Sequence, residues 1–524
     1  MSASNENKPG TEAAILGGDR RKDKRHKEKQ DERRSMILYT VVGIICAVAA
    51  IALVVFNSGI IQRHTTAVTI NGVKYTAADV QYYYSSTKNN LLNYYYGNFG
   101  ITPFDTSTSL KDQVHDSDSG QTWYDYLVEQ ALDSMVTSAA LADKANAEGY
   151  TLSDDAQTQL DDSLKQLESA WAGAGYGSRD AYIHAVFGPY MSYKELVKLA
   201  TQQALASDYS GSYSDSLTYD DAACETYYQE NADTLDTFTL TQFALQATVE
   251  TTDADGNTID MTDDEKAAKL EEAKAAVKAK AQEIQAKLQS GSDAQALADE
   301  YADDLFSSSV HDTRVGSNLN SAYSEWMLDA ARKNGDVDLA EYDAGDTSYY
   351  YYVVRYEGRA RDDSATATVR HILVAAETDD GADQPTDAQY AAAKTKAEDL
   401  LEQWKSGDAT EDSFAQLATE NSADSGSAAN GGLISNINKS SGYVQTFTDW
   451  ALDSARQPGD TGIVQNTGSS TKGWHIMYYV AAGDPVWKQT AANALRSADY
   501  TKWTDEVKSG YEAVKGAGLE FVNP

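Results

Sequence analysis

The hydrophobic pattern changes character several times along this chain. Residues 36–56 form a run of 21 without a charge, long enough to cross a bilayer as a helix. Beyond it, AVTINGVKYT (67–76) alternates apolar positions about Asn71-Gly72, a two-residue hairpin signal. Thr76 is then placed to cap a helix running through Val80, Tyr83 and Leu91. Residues 121–210 carry further helical periodicity, broken at Gly149 and at the glycines of 173–177, with few strand signals. A mainly helical module with tyrosine-rich faces is predicted over 64–234.

A repeat follows. SEWMLDAARKNGD (324–336) and TDWALDSARQPGD (448–460) pair Trp326 with Trp450, Leu328 with Leu452, Arg332 with Arg456 and Gly335 with Gly459. Upstream, Thr262…Glu265 and Thr386…Gln389 both fit a capping box, and Gly291 and Gly407 stand where each helix should stop. Leu270, Val277, Ala281, Ile284 and Leu288 share one face of the first helix; Tyr390, Ala397, Leu400, Leu401 and Trp404 share one face of the second. Each copy opens on a strand (LTQFALQA, TVRHILVA) and closes on another (YYYYVVRY, WHIMYYVA). Strand, helices and returning strand predict two α+β domains, 235–361 and 366–484. Pro485 ends the second copy, and an amphipathic tail with Trp487, Leu495, Trp503 and Val507 is expected to pack on the helical module, completing it over 485–524.

Charge changes the picture in two ways. The chain of 524 residues has a net charge of −37, yet residues 1–35 are net positive by 3, which leaves −40 for the remainder. Arg20 to Arg34 supply nine of the basic residues ahead of the apolar run. The positive-inside rule therefore predicts a cytoplasmic tail over 1–35, a single-pass anchor over 36–58 in the cell membrane, and everything after it outside the cytoplasm. The bulk acidity excludes a nucleic-acid footprint. Cys46 lies in the apolar run behind Ile45, which argues against lipidation, and Cys224 has no partner for an intrachain disulfide framework. Residues 253–257 (DADGN) suggest a calcium loop but lack the downstream glutamate spacing. No serine-nucleophile elbow, phosphate loop or paired-histidine zinc motif occurs, and no metal or cofactor is expected.

VRHILV (369–374), FAQLATENSADSGSAANGG (414–432), FTDWAL (447–452) and GWHIMYYV (473–480), in that order and spacing, resemble the parvulin prolyl isomerases. The wider layout of helical segment, parvulin units and closing helix resembles the SurA/PrsA-like exported foldases. The resemblance implies catalytic roles for His371, Asp424 and His475, and a proline-binding cup from Ile434, Tyr443 and Phe447. Gly431-Gly432-Leu433-Ile434-Ser435 departs from the family's usual Gly-Gly-Asp-Leu-Gly, and Tyr443 replaces a more common methionine or valine type. The first copy departs further: Gln242 stands against His371, Tyr350 against His475 and Tyr323 against Phe447, with Asp304 kept against Asp424, so this copy is expected to be degenerate and inactive. The fold class that results is α+β: one transmembrane helix, a helical chaperone module and two parvulin-like domains. The implied partners are unfolded or partly folded exported polypeptides with X-Pro bonds, and the lipid bilayer through 36–58. Two other readings compete: a holdase that keeps the parvulin folds only to bind peptides, and a structural or adhesive surface protein built from the same domains.

Overall fold

The computed structural model describes residues 42, 44–48, 59–252, 258–379, 384–466, 468 and 471–523. Most of the predicted anchor, the basic tail and the suggested calcium loop lie outside the described residues. Among the described residues no helix is long and apolar enough to cross a membrane. The chain divides into two compact units, Met1–Leu217 with Asp499–Pro524, and Thr218–Ala498.

In the first unit α1 (Ile60–His64) leads into the hairpin β1 (Thr66–Ile70) and β2 (Val73–Thr76). Asn71 and Gly72 both take positive φ, 46° and 78°, as the twist-matched type I′ turn demands. Thr76 and Asp79 then cap each other reciprocally and start α2 (Ala77–Phe99). A short ribbon, β3 (Val114–Asp116) with β4 (Gln121–Thr122), precedes α3 (Trp123–Ala147), α4 (Asp154–Gly173), α5 (Arg179–Phe187) and α6 (Tyr193–Ser216). The apolar faces of these helices and the hairpin meet in one core through Val68, Val80, Tyr84, Leu127, Met135 and Leu199. A strand from the far end of the chain, Ala513–Lys515, pairs with β1 and completes a three-stranded sheet.

The second unit begins with α7 (Asp221–Leu235) and then builds the same architecture twice. The first copy comprises β5 (Thr237–Thr248), α8 (Asp263–Gln289), α9 (Ala294–Glu300), β6 (Ser307–Val315), α10 (Ser324–Leu328), β7 (Val337–Asp343) and β8 (Ser348–Ala360). The second comprises β9 (Ala365–Ala375), α11 (Asp387–Ser406), α12 (Glu411–Asn421), β10 (Leu433–Ile437), α13 (Gln445–Ala451), β11 (Thr461–Asn466) and β12 (Gly473–Pro485). The sheets have the same antiparallel order, β6-β5-β8-β7 and β10-β9-β12-β11. In both copies the first and last strands pair at the centre. α8 and α11 cover one face of their sheets, and both predicted capping boxes form.

The repeat is visible in single bonds. Arg332 lies over Trp326 at 5.1 Å and Arg456 over Trp450 at 4.5 Å. Gly335 donates its N–H to the carbonyl of Tyr356 at 2.8 Å, and Gly459 to that of Tyr479 at 2.9 Å; both glycines have φ near +95°. Tyr356 therefore corresponds to Tyr479, and counting back four residues sets Tyr352 against His475. The pairing registers agree, because Gln242 faces Val354 where His371 faces Met477. This corrects the sequence alignment, which set Tyr350 there: four consecutive tyrosines leave the register ambiguous by two, and only the ladder resolves it.

The tail helix α14 (Val486–Lys508) divides between the units. Trp487 and Ala491 pack with Cys224 of α7, whereas Trp503, beyond the boundary, stacks on Tyr213 at 3.9 Å.

Candidate functional site

β9 and β12 are the central strands of the second sheet. Their period of two sends Ile372, Val374, Ile476 and Tyr478 to the helix-covered face. The opposite face receives Val369, His371, His475 and Met477. On that face the two imidazoles meet, with His371 Nδ1 and His475 Nδ1 3.0 Å apart and both residues buried. The loop after α12 adds Asp424, whose Oδ2 is 2.9 Å from His371 Nε2. It also adds Ser427, whose Oγ is 3.0 Å from the same nitrogen and donates to Asp424 Oδ2 at 2.5 Å.

These contacts select one proton arrangement. A carboxylate can only accept, so His371 carries its proton on Nε2 and donates it toward Asp424. A neutral His371 then offers a bare Nδ1, which accepts the Nδ1–H of His475. That leaves His475 Nε2 as an acceptor, and it makes no hydrogen bond among the described residues. Burial keeps both rings neutral. Loss of solvent lowers His371 despite the opposing pull of Asp424. His475, desolvated and beside a second imidazole, is pushed down to about 3. Burial acts to raise Asp424, but bonds from Ser427, His371 and the Gly426 N–H outweigh it and hold the carboxyl below its usual range.

Aromatic rings wall the site. Phe447, on α13 and 1% exposed, stands edge-on to His371 at 5.4 Å and to His475 at 5.1 Å. Tyr443 leans on Phe447 at 5.1 Å and is 43% exposed, so the wall is sealed behind and open in front. Ile434 packs half-buried against the cluster of Val369, Ile437, Phe447 and Met477, which places it with the floor. The fold thus brings all six predicted residues to one face of the sheet. Ser427 was not anticipated; its signal is its place three residues after Asp424, in a turn closed by Ala428 N–H on the Asp424 carbonyl at 2.9 Å.

A glycine makes the close packing possible. His371 N–H donates to the Gly432 carbonyl at 2.8 Å, and a Cβ at Gly432 would lie 2.1 Å from the His371 carbonyl oxygen, on a backbone with φ +69°. Gly432→Ala should therefore cost about 2 kcal/mol through clash and left-handed strain, read as a lower urea midpoint together with a shift of the His371 ring resonances.

The first copy closes the same face. Gln242 occupies the His371 position, accepting at its side-chain oxygen from the Tyr323 hydroxyl at 2.6 Å and from Arg314 at 3.3 Å. Tyr323 is buried where Phe447 stands, and its ring meets Tyr352 at 5.8 Å. Asp304, set against Asp424 in the sequence, is held by Lys280 at 2.8 Å; Phe306 N–H donates to the Ala244 carbonyl as Ala423 N–H does to that of Leu373, so the place of Asp424 falls to Ser307. No paired imidazoles exist here. Among the described residues no group of three histidines, cysteines or carboxylates is arranged to hold a metal ion.

Residues 351–480 match the family described as the PPIC-type PPIASE domain. No curated protein matches the chain. Among solved structures, one of the SurA-like chaperones PEB4 and Cj1289 of Campylobacter jejuni aligns at 16% identity over 68% of this chain and 92% of its own, with a TM-score of 0.17. The foldase protein PrsA of Streptococcus pneumoniae aligns at 15% identity over 47% of this chain and 78% of its own, with a TM-score of 0.20. Whole-chain superposition at these scores adds nothing to the geometry of the site.

Proposed function

Given that this chain carries a PPIC-type peptidyl-prolyl isomerase domain, we propose that it is a membrane-anchored foldase that isomerises X-Pro bonds and holds unfolded chains outside the cytoplasm. The observation that carries the catalytic half is the buried, neutral histidine pair tied to an ionised Asp424 behind an aromatic wall.

Rotation about an X-Pro bond faces a barrier of roughly 18–20 kcal/mol and takes tens of seconds unaided. No covalent bond breaks, so catalysis requires only that the twisted amide be bound better than the planar one. Phe447, Tyr443 and Ile434 seat the pyrrolidine ring in an apolar cup. The planar amide owes its stiffness to a resonance form with negative charge on oxygen. A carbonyl seated beside the Asp424 carboxylate, away from water, is disfavoured in that form, and the twisted state lacks it. The imidazoles hold Asp424 in place and remain uncharged, so they do not cancel its field.

The client-holding half is supported by Tyr94, Tyr96, Phe99 and Ile101, all more than half exposed at and just past the end of α2. The anchor and orientation are supported by the uncharged 36–56 run behind a basic tail.

The test uses the full chain on a short X-Pro peptide and on a protein whose refolding is limited by proline. Acceleration of both, lost in His371→Ala, is the expected result. Suppressed aggregation with no change in either rate would replace the isomerase reading with the holdase.

A further inference from the structure

The strand β8 of the first copy carries Tyr349, Tyr350, Tyr351 and Tyr352 in succession, so its rings alternate between the two faces of the sheet. On the helix-covered face the odd-numbered pair is occupied by cations of the chain itself. Lys274 lies over Tyr349 at 4.2 Å and Lys278 over Tyr351 at 5.9 Å. On the other face the even-numbered pair extends into an aromatic row. Tyr350 is flanked by Phe306 at 5.4 Å and by Tyr342 at 6.4 Å, and it stacks on Tyr352 at 6.1 Å with planes 17° apart. Phe306 is 61% exposed and Tyr342 42%. Among the described residues no lysine or arginine lies over any of these four rings.

The surrounding chain is acidic. Asp303 lies just before Phe306, and Asp343 and Asp346 follow Tyr342; all three are exposed, whereas Asp304 is already paired with Lys280. The exposed rings of Phe306 and Tyr342, flanking Tyr350 among carboxylates, attract a cation with an apolar stem, because the ring quadrupole takes the charge while the methylenes cover the rings. The same strand already shows that match on its far side, with lysines of this chain as the occupants.

We propose that Phe306, Tyr342 and Tyr350 form a docking platform for lysine- or arginine-bearing extended segments of unfolded polypeptide, with Tyr352 closing its inner end against Tyr323. The degenerate copy then serves as a non-catalytic holding site. This rests on the foldase reading: a client held by the first copy is presented to the second at raised effective concentration.

The experiment titrates the full chain with a fluorescent octapeptide alternating glycine and lysine, and with its glutamine counterpart. The double variant Phe306→Ser/Tyr342→Ser removes the two most exposed rings without touching the core. The lysine peptide should bind at least about tenfold more tightly than the glutamine peptide, and the double variant should weaken it by about tenfold. Isomerisation of a short X-Pro peptide should be unchanged in that variant, while refolding of a basic, proline-limited protein should slow. Equal binding of the two peptides would overturn the platform. So would undiminished lysine-peptide binding by the variant, which would assign the attraction to general acidity. If the wild-type chain fails to isomerise the short peptide, the isomerase reading falls, and the peptide titration still decides the platform.

Discussion

Phe447→Ala is expected to cost the second copy about 3–5 kcal/mol and to abolish isomerase activity. The ring is sealed in the cluster of Ala367, Val369, Ile437, Trp450 and Met477, and it touches both imidazoles and Tyr443. Its removal leaves a cavity beneath the proline seat. Water entering there would raise the local dielectric and weaken the field of Asp424. Phe447→Leu separates the two consequences. It keeps most of the volume and should cost about 1 kcal/mol, yet it loses the flat wall and should lower kcat/KM disproportionately. Urea midpoints and peptide isomerisation rates on the same samples check this. Full activity in a stable Phe447→Ala variant would place the proline ring elsewhere.

Acid is expected to destabilise the second copy well before the carboxylates titrate. An unfolded histidine binds a proton below about pH 6.5, whereas His475 in the fold refuses one until about pH 3. Between those values the unfolded chain binds more protons, so stability falls as pH falls. The contribution is complete above pH 6.5, and the loss from His475 alone reaches about 3 kcal/mol by pH 4.5. His371, lowered in the same direction by burial, adds to it. Asp424 acts in a lower window: its depressed value contributes stability above the ordinary aspartate range and loses it only as pH falls through the folded value. Urea unfolding from pH 7.5 to 4.5 reads the effect. The double variant His371→Gln/His475→Tyr, which copies Gln242 and Tyr352 of the first domain, should flatten the profile. A wild-type profile equally flat over that range would mean that the imidazoles are not buried neutral.

Much of this was legible in local chemistry. Asn71-Gly72 allowed one hairpin turn, and Thr76, Thr262 and Thr386 each started the helix they precede. In those cases the partner lies three residues away or fewer, so the sequence contains both halves of the interaction. The matched Trp, Arg and Gly positions of the two copies were visible for the same reason: each is part of a short segment that closes on itself. His371, Asp424, His475 and Phe447 could be singled out by resemblance, but nothing in their spacing states that two imidazoles come within bonding distance.

The rest was decided by strand register and by approach between distant segments. Four tyrosines in a row offer no preferred phase, and only pairing with β5 showed that Tyr352, not Tyr350, holds the histidine position. Ser427 became a member of the site because a turn folds its hydroxyl under a ring 56 residues away in sequence. The sequence determined which elements form and which residue types they carry. The tertiary structure alone decided which face of each sheet is closed and which is left open, because that depends on contacts across strands, where a shift of one residue turns every side chain to the opposite side.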